Sequence, residues 1–165
     1  MNQSPAKKIA YCGMLTALAM IFSYVEALIP VSFGIPGIKL GLANLVVLTG
    51  LYYLRPGEVL AVSVSRILLM GFLFGSGMSI VYSLAGGLLS FIVMLLLVKA
   101  DQFSRIGVSA AGAVSHNIGQ LLVAALVLKT AALVYYLPAL MIAGLVTGIA
   151  MGFLSNRVMA LLPKR

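Results

Sequence analysis

The segment Val59-Leu-Ala-Val-Ser-Val-Ser-Arg-Ile-Leu-Leu-Met-Gly-Phe-Leu-Phe74 places one arginine, Arg66, inside an almost wholly apolar run. Apart from Arg66, only Ser63, Ser65 and Gly71 interrupt the apolar side chains. A run of this kind predicts a membrane-spanning helix. A guanidinium inside a bilayer costs several kcal/mol unless it is paired or hydrated. Arg66 is therefore the first candidate for a functional site.

The composition of the whole chain is that of a membrane protein. Of its 165 residues, 62% are hydrophobic and 8% are charged, whereas a soluble domain is about half apolar and a quarter charged. This predicts a single transmembrane domain over residues 1–165. Cys12 is the only cysteine, which excludes an intramolecular disulfide and a cysteine-rich metal site.

Runs of roughly 20 apolar residues predict transmembrane helices, and the sequence offers six such segments. The first continues from the basic N-terminus without a small-residue cleavage site, so we expect a helix and no cleaved signal peptide. The last is long for one span, so either Pro138 bends it or residues 132–137 lie at the interface. The predicted spans are 9–29, 38–54, 57–74, 78–98, 107–128 and 132–161.

The basic residues predict the orientation of these spans. The formal net charge is +8, but the cations are scattered at helix ends and form no single basic face, so nucleic-acid binding is not expected. With the N-terminus inside, eight cations face the cytoplasm and two face outward, and this bias predicts cytoplasmic N- and C-termini. The inner set is Lys7, Lys8, Arg55, Lys99, Arg105, Arg157, Lys164 and Arg165, and the outer set is Lys39 and Lys129.

Small residues recur at helical spacing on three of the predicted helices, where they would let helix backbones approach closely. Such ridges serve either packing within the bundle or docking of another membrane subunit, and the sequence leaves both open. The ridges are Ala6, Ala10, Gly13 and Ala17 on the first helix, Ser79, Ser83, Gly86 and Ser90 on the fourth, and Gly144, Gly148 and Gly152 on the sixth.

Polar side chains within the spans fall mostly in the predicted outer half. This distribution suggests a cavity that opens outward, with Arg66 about 12 Å below the outer end of its helix. Because a guanidinium binds carboxylate or phosphate with two hydrogen bonds, the ligand is expected to be a small anion. The candidate ligand-binding residues are Arg66, Lys39, Asn44, His116, Asn117, Gln120, Glu26 and Tyr82.

Each candidate has an alternative role. Arg66 could pair with Glu26 and hold two helices together, and His116 could be a neutral histidine bonded to a neighbouring helix. Asn44 could tie helices together or cap an irregular turn. The segment 30–37 could be a simple connector or a lid over the cavity.

The sequence lacks the motifs and side chains that several kinds of enzyme chemistry need. There is no Gly-x-x-x-x-Gly-Lys-Ser/Thr segment, so the chain has no P-loop with which to use ATP. Asp101 is the only aspartate, so the carboxylate cluster that Mg²⁺ would need cannot be built. We therefore expect no catalytic residues, no metal and no cofactor, and a protein that is not an enzyme.

Two motifs, Gly37-Ile-Lys-Leu-Gly-Leu-Ala-Asn-Leu-Val46 and Ala113-Val-Ser-His-Asn-Ile-Gly-Gln-Leu-Leu122, carry a family resemblance. They resemble the Gx transporter family, also called heptaprenyl diphosphate synthase component I, over nearly the whole chain. That family is similar to the substrate-binding S-components of energy-coupling factor (ECF) transporters of prokaryotic cell membranes. The resemblance implies a six-helix bundle with both termini cytoplasmic and an outward-facing pocket.

The resemblance also implies partners. S-components use a small-residue Ala-x-x-x-Ala seam on the first helix to dock a transmembrane T-component, which carries two ATPases. Ala6, Ala10, Gly13 and Ala17 occupy the matching region, although glycine replaces one alanine of the deeper pair. The expected partners are thus a small-molecule substrate, membrane lipid, and the T-component and ATPases in trans.

Three functions are compatible with these observations. The first is an S-component that captures a small anionic or amphiphilic nutrient or precursor from outside. The second is a membrane accessory subunit of polyprenyl diphosphate synthesis, which would take every catalytic aspartate from a partner. The third is a structural scaffold whose glycine ridges hold a membrane complex together.

Overall fold

The computed structural model describes residues 5–28, 42–129 and 131–161. All regular secondary structure in these residues is helical, which confirms the predicted all-α fold class. The helices are α1 Pro5–Leu28, α2 Leu42–Tyr53, α3 Pro56–Phe74, α4 Gly77–Ala100, α5 Arg105–Leu128 and α6 Leu137–Leu161, with a 3-10 helix Ala131–Tyr136 before α6.

Five helices, all except α2, are long and apolar enough to cross a membrane. The described part of α2 has 12 residues and is about 18 Å long, which is shorter than the roughly 30 Å hydrocarbon core. Residues 38–41 of the predicted second span lie outside the described residues. The fold is a membrane helical bundle, and the cytoplasmic position of its termini stays a prediction.

The helix starts follow from local chemistry. Pro56 is the first residue of α3, where its missing N–H is not needed. The backbone N–H of Arg55 donates to a carboxylate oxygen of Glu58 at 3.0 Å, which satisfies one donor at this helix end. At the start of α5, Ser104 Oγ accepts from the backbone N–H of Gly107 at 3.1 Å.

The last predicted span contains two kinds of helix. The 3-10 helix Ala131–Tyr136 precedes α6, and Pro138 lies in the first turn of α6. A proline is tolerated at this position because the first turn lacks internal hydrogen-bond acceptors for its N–H groups. The chain therefore changes helix type at Leu137, and Pro138 does not bend a continuous α-helix.

Helix α2 lies at the centre of the bundle, in contact with each of the other five α-helices. Around it, α1 packs on α3, α3 on α4, α4 on α5 and α5 on α6. Within the described residues, α1 and α6 do not contact each other, so the ring around α2 is open between them. This central position explains why seven of the 12 residues of α2 are buried.

The apolar core lies towards the end of the bundle where α2 finishes and α3 begins. Leu48, Val59, Met94 and Val108, from four different helices, are each at most 2% exposed. Two polar contacts join α2 to α6 near this core, including a bond from the Tyr53 hydroxyl to the Met159 carbonyl at 3.3 Å. The two cavities described below are lined by residues nearer the opposite end of the bundle.

The glycine ridge of α6 packs against α5. A Cβ atom at Gly148 would lie 2.6 Å from Ala110 Cα, and one at Gly152 would lie 2.7 Å from Ile106 Cα. Gly144 faces the same helix, beside the Asn117 side chain. Since these distances leave no room for a side chain, the ridge brings the two backbones into direct contact.

Candidate functional site

Arg66 projects from α3 towards α1 and the bundle interior. Its Nη1 donates a hydrogen bond to Ser23 Oγ of α1 at 2.9 Å. Its Nε atom is buried and makes no hydrogen bond with the described part of the chain. A buried polar group without a partner is unfavourable, so the guanidinium has a donor available for a further acceptor.

A polar cavity surrounds this guanidinium and draws residues from all six α-helices. Its volume is about 40 Å³, which is room for on the order of three water molecules. The lining is rich in amide, hydroxyl and charged groups. The lining residues are Glu26, Ala43, Asn44, Arg66, Ser83, Ala113, His116, Asn117 and Thr147.

Glu26 and Arg66 share the polar cavity, and their opposite charges interact electrostatically. The alternative role of Arg66, as a link between α1 and α3, therefore has a structural basis. That role and ligand binding are compatible, because a guanidinium offers five N–H donors and no single neighbour uses them all. Its Nη1 bond to Ser23 already joins the two helices.

Asn117 joins α5 to α6 beside the cavity. It is 7% exposed, and its Nδ2 donates to the Leu140 carbonyl at 2.9 Å. A Cβ atom at Gly144 would lie 2.9 Å from the same Nδ2 atom, so the glycine leaves the space that this amide occupies. The hydrogen bond fixes the Asn117 side chain where it lines the cavity.

His116 and Gln120 lie at the interface of α5 with α4. A Cβ atom at Gly86 of α4 would lie 2.7 Å from both the His116 carbonyl oxygen and Gln120 Cγ. The close approach brings Ser83, one turn before Gly86, to the wall of the polar cavity that His116 also lines. Gln120, one turn further along α5, lines a different space.

That second space, here called the apolar chamber, lies between α4, α5, the 3-10 helix and α6. Its volume is about 460 Å³, within the range of about 300–1,000 Å³ that is typical of small-molecule sites. None of its described lining residues is charged. The lining residues are Ser79, Tyr82, Ser83, Asn117, Gln120, Leu121, Ala124, Leu128, Leu133, Tyr136 and Leu140.

A family model described as heptaprenyl diphosphate synthase component I matches residues 15–158. The chain belongs to this family. The match includes both motif segments that carry the resemblance, and it confirms the predicted membership. No curated protein and no solved structure is significantly similar to the chain.

The structure brings together most of the predicted ligand-binding residues. Glu26, Asn44, Arg66, His116 and Asn117 line the polar cavity. The other two that are described, Tyr82 and Gln120, line the apolar chamber, together with Asn117. Lys39 lies outside the described residues.

Sequence reasoning missed other residues of the site. In the sequence, Ser83 belongs only to a predicted packing ridge, and no pattern marks Thr147 or Ser23 as residues of the site. Small hydroxyl residues in apolar helices often bond their own backbone, as Thr147 does to the Ala143 carbonyl at 2.9 Å. No sequence pattern indicates the apolar chamber, because its leucines resemble leucines that face lipid.

The predicted docking stripe lies on the outside of the bundle. Ala6, Ala10, Gly13 and Ala17 are all exposed, and a Cβ atom at Gly13 would have no neighbour within 4 Å. Helix α1 packs only on α2 and α3 in the described part of the chain. The stripe is therefore available to lipid or to another membrane protein.

The described residues contain no group of three or more His, Cys, Asp or Glu side chains that could hold a metal ion. The polar cavity holds one carboxylate and one imidazole among its lining groups. Its chemistry is that of hydrogen bonding and charge recognition, since amides, hydroxyls and a guanidinium predominate.

Proposed function

We propose that this protein is the substrate-binding membrane component of an ECF-type transporter and captures a small anionic or amphiphilic nutrient or precursor from outside. The observation that carries the proposal is the Arg66 guanidinium inside the bundle, with its buried Nε unsatisfied by the described residues. An anionic ligand supplies the acceptor oxygens that such a group needs.

The surroundings of Arg66 support a binding site in preference to a structural ion pair alone. Asn44, His116 and Asn117 approach the same cavity from two other helices, and each offers hydrogen-bonding groups. Residues that serve only to join α1 to α3 need not include groups from α2 and α5. The convergence of polar groups from separate helices is typical of small-molecule sites.

The energy for transport would come from partner proteins. The sequence has no P-loop, and the predicted docking stripe of Ala6, Ala10, Gly13 and Ala17 is exposed on α1, which packs only on α2 and α3 among the described residues. A T-component docked on this stripe would couple the bundle to ATPases in trans. Transport would then follow from rocking of the bundle as a rigid body, a form of alternating access.

A second function is favoured by the family's description, which names a component of heptaprenyl diphosphate synthase. Under this second hypothesis the protein is a membrane accessory subunit of polyprenyl diphosphate synthesis. Asp101, the single aspartate, is at the C-terminal end of α4 and is not among the residues lining the polar cavity. The partner would then have to supply the metal-binding carboxylates that prenyl transfer requires.

Affinity purification of the tagged protein from its native membrane separates the two functions. The transport proposal predicts co-purification of a multi-helix membrane protein and ATPase subunits, with ATP-dependent uptake after joint reconstitution in liposomes. The accessory-subunit function predicts a soluble aspartate-rich synthase instead, and a synthase activity that depends on this chain. Isolation with the synthase alone, and no ATPase, would overturn the transport proposal.

A further inference from the structure

We infer that the ligand is an amphiphile, with an anionic phosphate or carboxylate head in the polar cavity at Arg66 and an apolar body in the apolar chamber. This inference rests on the proposed function and defines its substrate class. The orientation of the ligand follows from the two neighbouring spaces, which differ in both size and chemistry.

The polar cavity beside Arg66 is too small to hold a complete nutrient molecule. The polar cavity has a volume of about 40 Å³, enough for a head group of a few heavy atoms. The apolar chamber has a volume of about 460 Å³, enough for the larger part of a small molecule. A ligand that reaches Arg66 must therefore place most of its atoms elsewhere, and among the described residues the apolar chamber is a large space that shares two lining residues with the polar cavity.

The two spaces adjoin. Ser83 of α4 and Asn117 of α5 line both of them. Asn117 is buried and held by its bond to the Leu140 carbonyl, so its position between the spaces is fixed. A molecule that extends past these two side chains would have one end at the guanidinium and the other among the leucines.

The walls of the chamber select an apolar body. Leu121, Leu133 and Leu140 present hydrocarbon surface, and Tyr82 and Tyr136 add aromatic rings. A sugar or other polyhydroxylated body would lose hydrogen bonds to water here and find few replacements. An alkyl or alkenyl body would gain from the removal of its surface from water.

A series of alkyl phosphates tests the inference directly. Binding of ethyl, butyl, hexyl and octyl phosphate is measured by calorimetry on the protein in lipid nanodiscs, with empty nanodiscs as the blank. Affinities refer to the free aqueous concentration of each compound. The expected result is a rise of about fourfold for each added CH₂ group until the chamber is full.

Two matched variants locate the apolar body. Ala124 lines the apolar chamber, whereas its neighbour Ala125 does not, and both are partly exposed. Ala124→Phe fills part of the chamber and should weaken hexyl phosphate binding by about tenfold or more, with ethyl phosphate unaffected. Ala125→Phe adds the same ring outside the chamber and should leave the whole series unchanged.

The outcomes separate failure of this inference from failure of the proposed function. Arg66-dependent binding of ethyl phosphate with no gain from chain length would overturn the amphiphile and leave anion capture intact. Equal losses in Ala124→Phe and Ala125→Phe would also overturn it. Absence of any Arg66-dependent binding across the series would overturn both proposals.

Discussion

Arg66 Nη1 of α3 donates a hydrogen bond to Ser23 Oγ of α1 at 2.9 Å, between residues 43 positions apart in the sequence. Among the described side chains of α1, only Ala19 is fully buried. The bond is thus a specific polar link between two helices that otherwise meet through apolar side chains, such as the rings of Tyr24 and Phe74. It also orients the guanidinium and leaves Nε available to a ligand.

The Ser23–Arg66 hydrogen bond should contribute to stability. Ser23→Ala removes the acceptor of a partly buried hydrogen bond from a charged donor, and the expected loss is about 1.5–3 kcal/mol in the free energy of unfolding. Ser65→Ala is the matched control, because Ser65 is exposed on the same helix as Arg66. Thermal unfolding in detergent measures both variants, and equal melting temperatures would contradict the assignment.

The glycines of α1 and α6 should respond oppositely to alanine. Gly148→Ala places a Cβ atom 2.6 Å from Ala110 Cα, so the helices must separate, at a cost of about 1–3 kcal/mol. Gly13→Ala meets no atom within 4 Å and should stabilise the helix by up to about 1 kcal/mol. Unfolding midpoints in detergent give the comparison, and a stable Gly148→Ala protein would show that α5 and α6 pack less closely.

The exposed stripe on α1 should matter for assembly and not for folding. Gly13→Leu leaves the bundle intact but holds a partner helix away from α1, and the recovered complex should fall about tenfold. Ala150→Leu is the control, since Ala150 is exposed on α6. Co-purification of partner proteins measures the effect. Undiminished recovery with Gly13→Leu would mean that this stripe faces lipid.

The orientation of the bundle is testable at the two ends of α5. In a Cys12→Ser background, a cysteine replacing Lys129 should react with an impermeant thiol reagent added outside intact cells. A cysteine replacing Arg105, about 36 Å away along the helix, should react only after the membrane is opened. Both positions are exposed. Reaction of both from the same side would contradict the predicted topology.

Much of the fold could be predicted because it depends on composition and on local helix signals. The apolar runs predict the helices, and Pro56 predicts the division between α2 and α3. The ambiguity over Pro138 could not be resolved in the same way, because both a 3-10 helix and a bent α-helix suit an apolar sequence with one proline. The central position of α2 depends on tertiary packing, which helical periodicity does not encode.

The site was predictable in its charged and amide residues and not in its shape. Arg66, Asn44 and His116 are conspicuous in apolar helices, and the structure places them at one cavity. Ser23 could not be identified, since serines are common in membrane helices and its role depends on the distance between α1 and α3. The division into a polar cavity and an apolar chamber depends on how six helices diverge, which no local pattern specifies.

Native mass spectrometry of gently purified protein tests most directly whether Arg66 binds the ligand. The wild-type protein and Arg157→Ala, which loses an exposed arginine, should retain the same anionic molecule. Arg66→Ala should bind it roughly 30-fold or more weakly, because a charge-assisted bond from a desolvated site contributes about 2–5 kcal/mol. Arg66→Lys should also bind poorly, since a point charge does not reproduce the planar guanidinium.

The Glu26→Gln/Arg66→Gln double variant serves as a folded control, because it removes both opposite charges of the polar cavity together. This variant should melt close to the wild-type temperature and retain no ligand. Retention of the same molecule, at wild-type occupancy, by folded Arg66→Ala protein or by the double variant would show that Arg66 does not bind the ligand and only links α1 to α3.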